Sequence, residues 1–186
     1  EVVATGAADG YGRMMQAPAL TLLHLGPGLG NGLANLHNAN RARTPIVSLI
    51  GEHATFHRAN NPPLTSDIAA LARPVSSWVS TVEATADLLP LAQEAFEAAR
   101  RHGPSALILP ADIAWSDDTL SLPPTRTSSD EDIDASLIEE AAQVFGPRTV
   151  LLLGGRFLSA ETCSLAQRIG AKTGALVLIE TFPARV

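Results

Sequence analysis

Ala19-Leu20-Thr21-Leu22-Leu23-His24 is followed by Gly26-Pro27-Gly28-Leu29-Gly30-Asn31-Gly32, then by helical spacing from Leu33 to Arg43, then by Pro45-Ile46-Val47-Ser48-Leu49-Ile50-Gly51. The two nearly continuous apolar runs are short and read as strands buried on both faces. The glycines and Pro27 between them read as a turn that leads into the helix. Together they form a strand, helix, strand unit.

The same alternation continues outward. Glu1 to Met15 reads as a helix whose small residues, Ala4, Gly6, Ala7, Ala8 and Gly10, allow something to pack closely on it. After Glu52 a polar loop runs through Pro63, followed by a short helix around Asp67 to Ala72 and an ambiguous strand, Val75 to Val82, that contains Trp78. A long amphipathic helix, Ala84 to His102, carries Leu88, Leu89, Leu91, Ala92, Ala95, Phe96 and Ala99 on its inner face and leads through Gly103-Pro104 into a strand, Ser105 to Pro110. Strands alternating with helices predict an α/β fold, a parallel sheet flanked by helices on both faces.

Residues 117 to 134 are dominated by Ser, Thr, Pro and Asp and predict an inter-domain linker. Beyond it, a helix from Ile133 to Phe145, a strand from Thr149 to Leu153, the turn Gly154-Gly155, a helix from Ala160 to Gly170 and a strand from Ala175 to Ile179 begin a second, Rossmann-like α/β domain. The expected organisation is therefore a domain over 1–116, a linker over 117–132 and the first part of another domain over 133–186. The first residues are already in a helical pattern and the last follow an apolar run without a closing element, so both ends are expected to be cuts in a longer chain.

Composition narrows the function classes. With 46% hydrophobic and 17% charged residues among 186, the chain falls in the soluble globular range and is long enough for a sizeable core. A net charge of −6, and Lys172 as the one lysine, argue against a nucleic-acid partner, which needs a clustered positive face. No run approaches the about 18 apolar residues of a membrane span, and Cys163 reads as a small buried apolar side chain within a helix. The expectation is a cytoplasmic protein without a membrane partner.

Three blocks carry a resemblance. Glu1 is followed by Ala8-Asp9-Gly10-Tyr11-Gly12-Arg13, His24-Leu25 is followed by Gly26-Pro27-Gly28-Leu29-Gly30-Asn31, and Thr44-Pro45-Ile46-Val47 runs into Gly51-Glu52. Their order and separations resemble the pyrimidine-binding domain of thiamine-diphosphate-dependent enzymes of the acetolactate synthase and benzoylformate decarboxylase kind. Gly12 stands where alanine is usual. The resemblance covers Glu1 to about Asp112, and the segment after the linker is similar to the start of the family's central domain.

That resemblance implies thiamine diphosphate as cofactor and a 2-keto acid such as pyruvate as substrate. It implies that Glu1 is the carboxylate that hydrogen-bonds the cofactor's pyrimidine ring nitrogen and promotes its active tautomer, and that Gly26, Pro27, Gly28, Asn31 and Glu52 belong to the cofactor site. It further implies Mg²⁺ held by a Gly-Asp-Gly motif and an Asn in a C-terminal domain absent from this sequence, and a homodimer or homotetramer whose active sites are shared between subunits. The isolated 186 residues are accordingly expected not to turn over alone.

His24 divides the family. Acetolactate synthases usually carry Thr or a similar residue there, whereas benzoylformate decarboxylase carries a histidine, so His24 is the second catalytic candidate, able to shuttle protons to a bound 2-keto acid. Against that role stands a buried histidine hydrogen-bonded to backbone. Glu52 replaces the family's usual glutamine; a carboxylate there accepts but cannot donate, and it would repel a substrate carboxylate. Gly28, Gly30 and Gly32, with Glu52 about 20 residues on, imitate a dinucleotide fingerprint whose second interval is one residue short. His53 and His57 have a helical metal-ligand spacing without a third ligand nearby. Trp78 and Trp115 read as packing aromatics. Carboligation and decarboxylation both remain open, as does a scaffold that kept the fold and lost the chemistry, the reading that Glu52 supports, and a flavodoxin-like nucleotide-binding domain.

Overall fold

The structure, a computed structural model, describes residues 1–118 and 134–181. The chain divides into two compact units, Glu1–Pro123 and Pro124–Val186, each described here by itself. From residue 119 onward the expected linker lies outside the described residues.

The first unit runs α1 (Val2–Met15), β1 (Ala19–Leu23), α2 (Leu25–Ala42), β2 (Ile46–Glu52), α3 (Ile68–Ala72), β3 (Trp78–Thr81), α4 (Leu88–His102), β4 (Ser105–Pro110) and the short α5 (Ala111–Ala114). The four strands form one parallel sheet in the order β1-β2-β4-β3. Alternate residues of β2 and β4 feed two separate cores, whereas β1, expected to be buried on both faces, lies at the sheet edge and leaves Leu20 and Leu22 exposed on the face that no helix of the described residues covers. Leu23, Ile46, Ile50 and Ile108 face α1, α2 and α3, where they meet Ala8, Leu29, Leu36 and Ile68. Val47 and Leu107 face α4, where they meet Ala95 and Ala99. Each fully buried Leu or Ile contributes about 1.5–3 kcal/mol, so the sheet is held from both sides, as the apolar strand runs predict. The register sets Thr21 beside Ser48, and their buried hydroxyls hydrogen-bond at 3.1 Å between neighbouring strands.

Two further expectations change. Phe96 is exposed, because α4 meets the sheet through Ala95 and Ala99, and Phe96 is turned about 100° from Ala95 around the helix. The stretch Gly26–Gly32 is no loop: α2 starts at Leu25 and includes every one of these glycines. Leu25 itself makes the sharp turn out of β1, with φ +56°, a left-handed conformation that strains a leucine. Pro27 falls in the first helical turn, where its missing N–H breaks no helical bond.

The glycines serve close packing instead. A Cβ on Gly26 would collide with the Ser66 side chain, and one on Gly32 would lie 2.8 Å from Thr5 Cγ2, where α1 crosses α2. Gly12 follows the same logic, since its Cβ would lie 2.7 Å from Thr44 Cγ2 and 2.8 Å from the Pro45 carbonyl oxygen.

The second unit contains α6 (Ala135–Val144), β5 (Val150–Leu153), α7 (Ala160–Thr173) and β6 (Leu176–Ile179), with β5 and β6 paired in parallel. Ser159 caps α7 by accepting from the Thr162 amide, and Gly174, at φ +78°, ends it. Cys163 on α7 is half-buried. Leu152, Leu176 and Leu178 remain exposed in this unit.

Candidate active site

At the carboxyl ends of β1, β2 and β4 lies a cavity of about 880 Å³. Open parallel α/β sheets bind ligands at this end of their strands. Glu1, His24 and Glu52, three residues singled out from the sequence and separated by up to 51 positions, all line it. Gly26, Pro27, Gly28 and Asn31 do not.

The first two turns of α1 hold Glu1 in place. The Glu1 carbonyl accepts from the Thr5 amide at 2.9 Å and from the Thr5 hydroxyl at 2.8 Å. Its carboxylate Oε2 accepts from Asn31 Nδ2 at 3.2 Å. One helical turn along α2, Asn35 Nδ2 donates to the Val2 carbonyl at 2.7 Å and to the Thr5 hydroxyl at 3.3 Å. Asn31 and Asn35, four residues apart on one face of α2, thus hold the carboxylate and the backbone of the same short segment. Asn35 has a clear positioning part that its sequence context does not reveal. Gly28 eases this arrangement, because a Cβ there would sit tightly, 3.1 Å from Glu1 Oε1 and 3.3 Å from the Leu23 carbonyl carbon.

His24 ends β1 as the residue before α2. It is exposed, not buried, and its imidazole has no hydrogen bond among the described residues, while its carbonyl accepts from the Gly28 amide at 2.8 Å. The competing picture of a buried, satisfied histidine therefore does not hold. Glu52 turns back on its own chain: Oε1 accepts from the His53 amide at 2.6 Å. The hydrogen bond to Glu83 at 2.8 Å, with the negative charges of Glu83, Glu52 and Asp112 beside it, raises the pKa of the Arg58 guanidinium. The Glu52 charge is thus partly engaged by the protein itself.

The loop after β2 is fastened to the segment after β4. Thr55 donates from its amide to Asp112 Oδ1 at 3.0 Å and from its hydroxyl to Oδ2 at 2.5 Å. These two bonds hold the Asp112 carboxyl below the ordinary aspartate range. A depressed carboxyl pKa strengthens a structure above the unfolded value and ceases to do so as pH falls through the folded value. The clamp is therefore complete from neutral pH down to about the ordinary aspartate pKa of 3.9 and weakens below it. Asp112→Asn should make trypsin cleave at Arg58 faster than in the native protein at neutral pH; equal cleavage rates would show that the clamp does not hold the loop.

Next to Glu52, His53 has an Nε2 that is buried without a hydrogen-bond partner, and its ring lies edge-on to His57 with centroids 5.9 Å apart. Both histidines line the cavity. Among the described residues no group of three or more His, Cys, Asp or Glu is placed to hold a metal ion. No helix of the described residues is long and apolar enough to cross a membrane. Trp115, expected as a packing aromatic, is 82% exposed and lines the cavity.

The thiamine pyrophosphate enzyme N-terminal TPP binding domain matches residues 1–71. That segment contains Glu1, His24, Asn31 and Glu52. Over these 71 residues the chain is similar to the thiamine pyrophosphate enzymes. The chain is 47% identical over 98% of its length to IlvX of Mycobacterium tuberculosis, a protein assigned as an acetolactate synthase large subunit, of which it spans 36%. It is 31% identical over 62% of its length to the 2-hydroxyacyl-CoA lyase 2 of Caenorhabditis elegans, of which it spans 18%. Among solved structures, benzoylformate decarboxylase from Polynucleobacter necessarius superimposes with a TM-score of 0.66 at 27% identity, over 80% of this chain and 29% of that one. A thiamin diphosphate-dependent enzyme candidate from Mycobacterium smegmatis shares the fold, with a TM-score of 0.75 at 24% identity over 97% of this chain and 36% of that one. The chain spans between 18% and 36% of the length of these relatives, and the two solved structures share its fold of a parallel sheet flanked by helices.

Proposed function

We propose that this chain supplies the pyrimidine-binding half of a thiamine-diphosphate site in a longer enzyme that carboligates 2-keto acids in the manner of acetolactate synthase, pyruvate being the simplest of them. The observation that carries this reading is the Glu1 carboxylate at the cavity, held by Asn31 and given room by Gly28. A Cβ at position 28 would crowd that carboxylate, and the cavity that Glu1 lines has room for a ring beside it. When bound, thiamine diphosphate supplies a carbon nucleophile at its thiazolium C2. Glu1 would share a proton with the pyrimidine ring nitrogen, Asn31 would keep its carboxylate oriented, and the leucines around the cavity would exclude water from it.

Magnesium, the diphosphate contacts and a site shared between subunits belong in this proposal to parts of the enzyme outside these 186 residues. Decarboxylation is a second reading, favoured by the exposed imidazole of His24 at the cavity, which could shuttle protons to and from a bound 2-keto acid. The scaffold reading rests on Glu52, and the bond from the His53 amide to its carboxylate lessens the repulsion on which that reading depends.

The deciding experiment gives the full-length protein thiamine diphosphate, Mg²⁺ and either pyruvate or benzoylformate, and scores acetohydroxy acid against aldehyde. Turnover of neither, with no cofactor binding by calorimetry, would refute the enzyme reading. Asn31→Ala should lower kcat about tenfold, near the value of one charge-assisted hydrogen bond, with the fold intact by circular dichroism. An unchanged kcat would remove Asn31 from the site.

A further inference from the structure

Phe56 and Trp115 are the most exposed aromatic side chains of the first unit, 78% and 82% accessible, in a chain with only five Phe, two Trp and one Tyr. Both line the same cavity as Glu1 and His24. They arrive from different strands, Phe56 on the loop after β2 and Trp115 just after α5. The Thr55–Asp112 clamp ties these two segments together one residue before Phe56 and three before Trp115. The Trp115 amide donates to the Ala111 carbonyl at 3.0 Å. Two large aromatics are thus held at a fixed separation yet left uncovered, an arrangement that costs hydrophobic free energy unless something apolar lies against them.

The cavity's remaining apolar lining includes Leu22, Leu64, Leu109 and Ala114, while its ionisable groups are the carboxylates of Glu1 and Glu52 and the imidazoles of His24, His53 and His57. A ligand with one polar end and one apolar end suits such a lining.

We propose that Phe56 and Trp115 are specificity-determining residues that select a 2-keto acid with a branched aliphatic or aryl tail over pyruvate. This rests on the 2-keto acid reading above and sharpens it. Pyruvate's methyl group offers far less apolar surface to two aromatic rings than a tail of four or more carbons does. Each buried methylene of a substrate is worth about tenfold or more in discrimination.

The test uses the full-length protein with thiamine diphosphate and Mg²⁺, comparing kcat/KM for pyruvate, 4-methyl-2-oxopentanoate and phenylpyruvate. The expected result is a preference of at least about tenfold for one of the longer acids. Trp115→Ala and Phe56→Ala should each shrink that ratio by about tenfold, and Trp115→Phe should keep most of it. Circular dichroism checks that each variant folds. Pyruvate preferred by the native enzyme, or a loss equal for all three acids in the variants, would overturn the proposal while leaving the enzyme reading intact. If no 2-keto acid is turned over and no cofactor binds, the enzyme reading and this proposal fall together.

Discussion

Glu1→Gln in the full-length enzyme should lower kcat by about two to three orders of magnitude, within the range that a positioned acid or base contributes. Glutamine keeps the size of the side chain and can still accept from Asn31 Nδ2, which now donates to Glu1 Oε2 at 3.2 Å. It cannot share a proton with a pyrimidine nitrogen. The loss should therefore appear in kcat, and in the rate at which bound thiamine diphosphate exchanges its C2 proton with deuterium, read by NMR after acid quench. Cofactor affinity should change far less. An exchange rate equal to that of the native enzyme would refute the role given to Glu1. Glu52→Gln offers a contrast, because Glu52 already accepts from the His53 amide at 2.6 Å and a glutamine oxygen can take the same bond.

Gly12→Ala should destabilise the first unit by about 1–3 kcal/mol, the usual cost of forcing a methyl group into a filled space. The added Cβ would lie 2.7 Å from Thr44 Cγ2 and 2.8 Å from the Pro45 carbonyl oxygen. The first contact could be relieved by Thr44→Ser, which removes Cγ2; the second is backbone and cannot be. The double variant should thus recover part of the loss and no more, a coupling between neighbours of the kind expected in a shared space. Urea unfolding followed by circular dichroism measures this directly. A single variant as stable as the native chain would show that α1 can move away from Pro45 freely.

Much of the fold was legible because parallel strands buried on both faces must be apolar along their whole length. Ile46–Glu52 and Ser105–Pro110 show this directly; Ala19–Leu23 is as apolar but is an edge strand with Leu20 and Leu22 exposed, and all three become strands at nearly the expected bounds. The edge strand β3 was ambiguous because Trp78–Thr81 is shorter and only half-buried, so its pattern is diluted. Gly26 to Gly32 misled for a physical reason. Glycine marks both turns and close helix packing, and local sequence cannot tell a missing side chain that frees the backbone from one that makes room for Ser66 or Thr5.

For the site, the sequence by itself determined the chemical identity of Glu1, His24, Asn31 and Glu52 and their order along the chain. Spacing and residue type are enough for that, since the cofactor's chemistry demands a carboxylate. Only the tertiary structure decided what those groups face. It set Glu1 against Asn31, turned Glu52 toward the His53 amide, left His24 uncovered, and brought Phe56 beside the same cavity as Trp115, 59 positions away. Hydrogen bonds and apolar contacts act through space, and the crossovers of a parallel sheet bring together the ends of strands that sequence holds far apart.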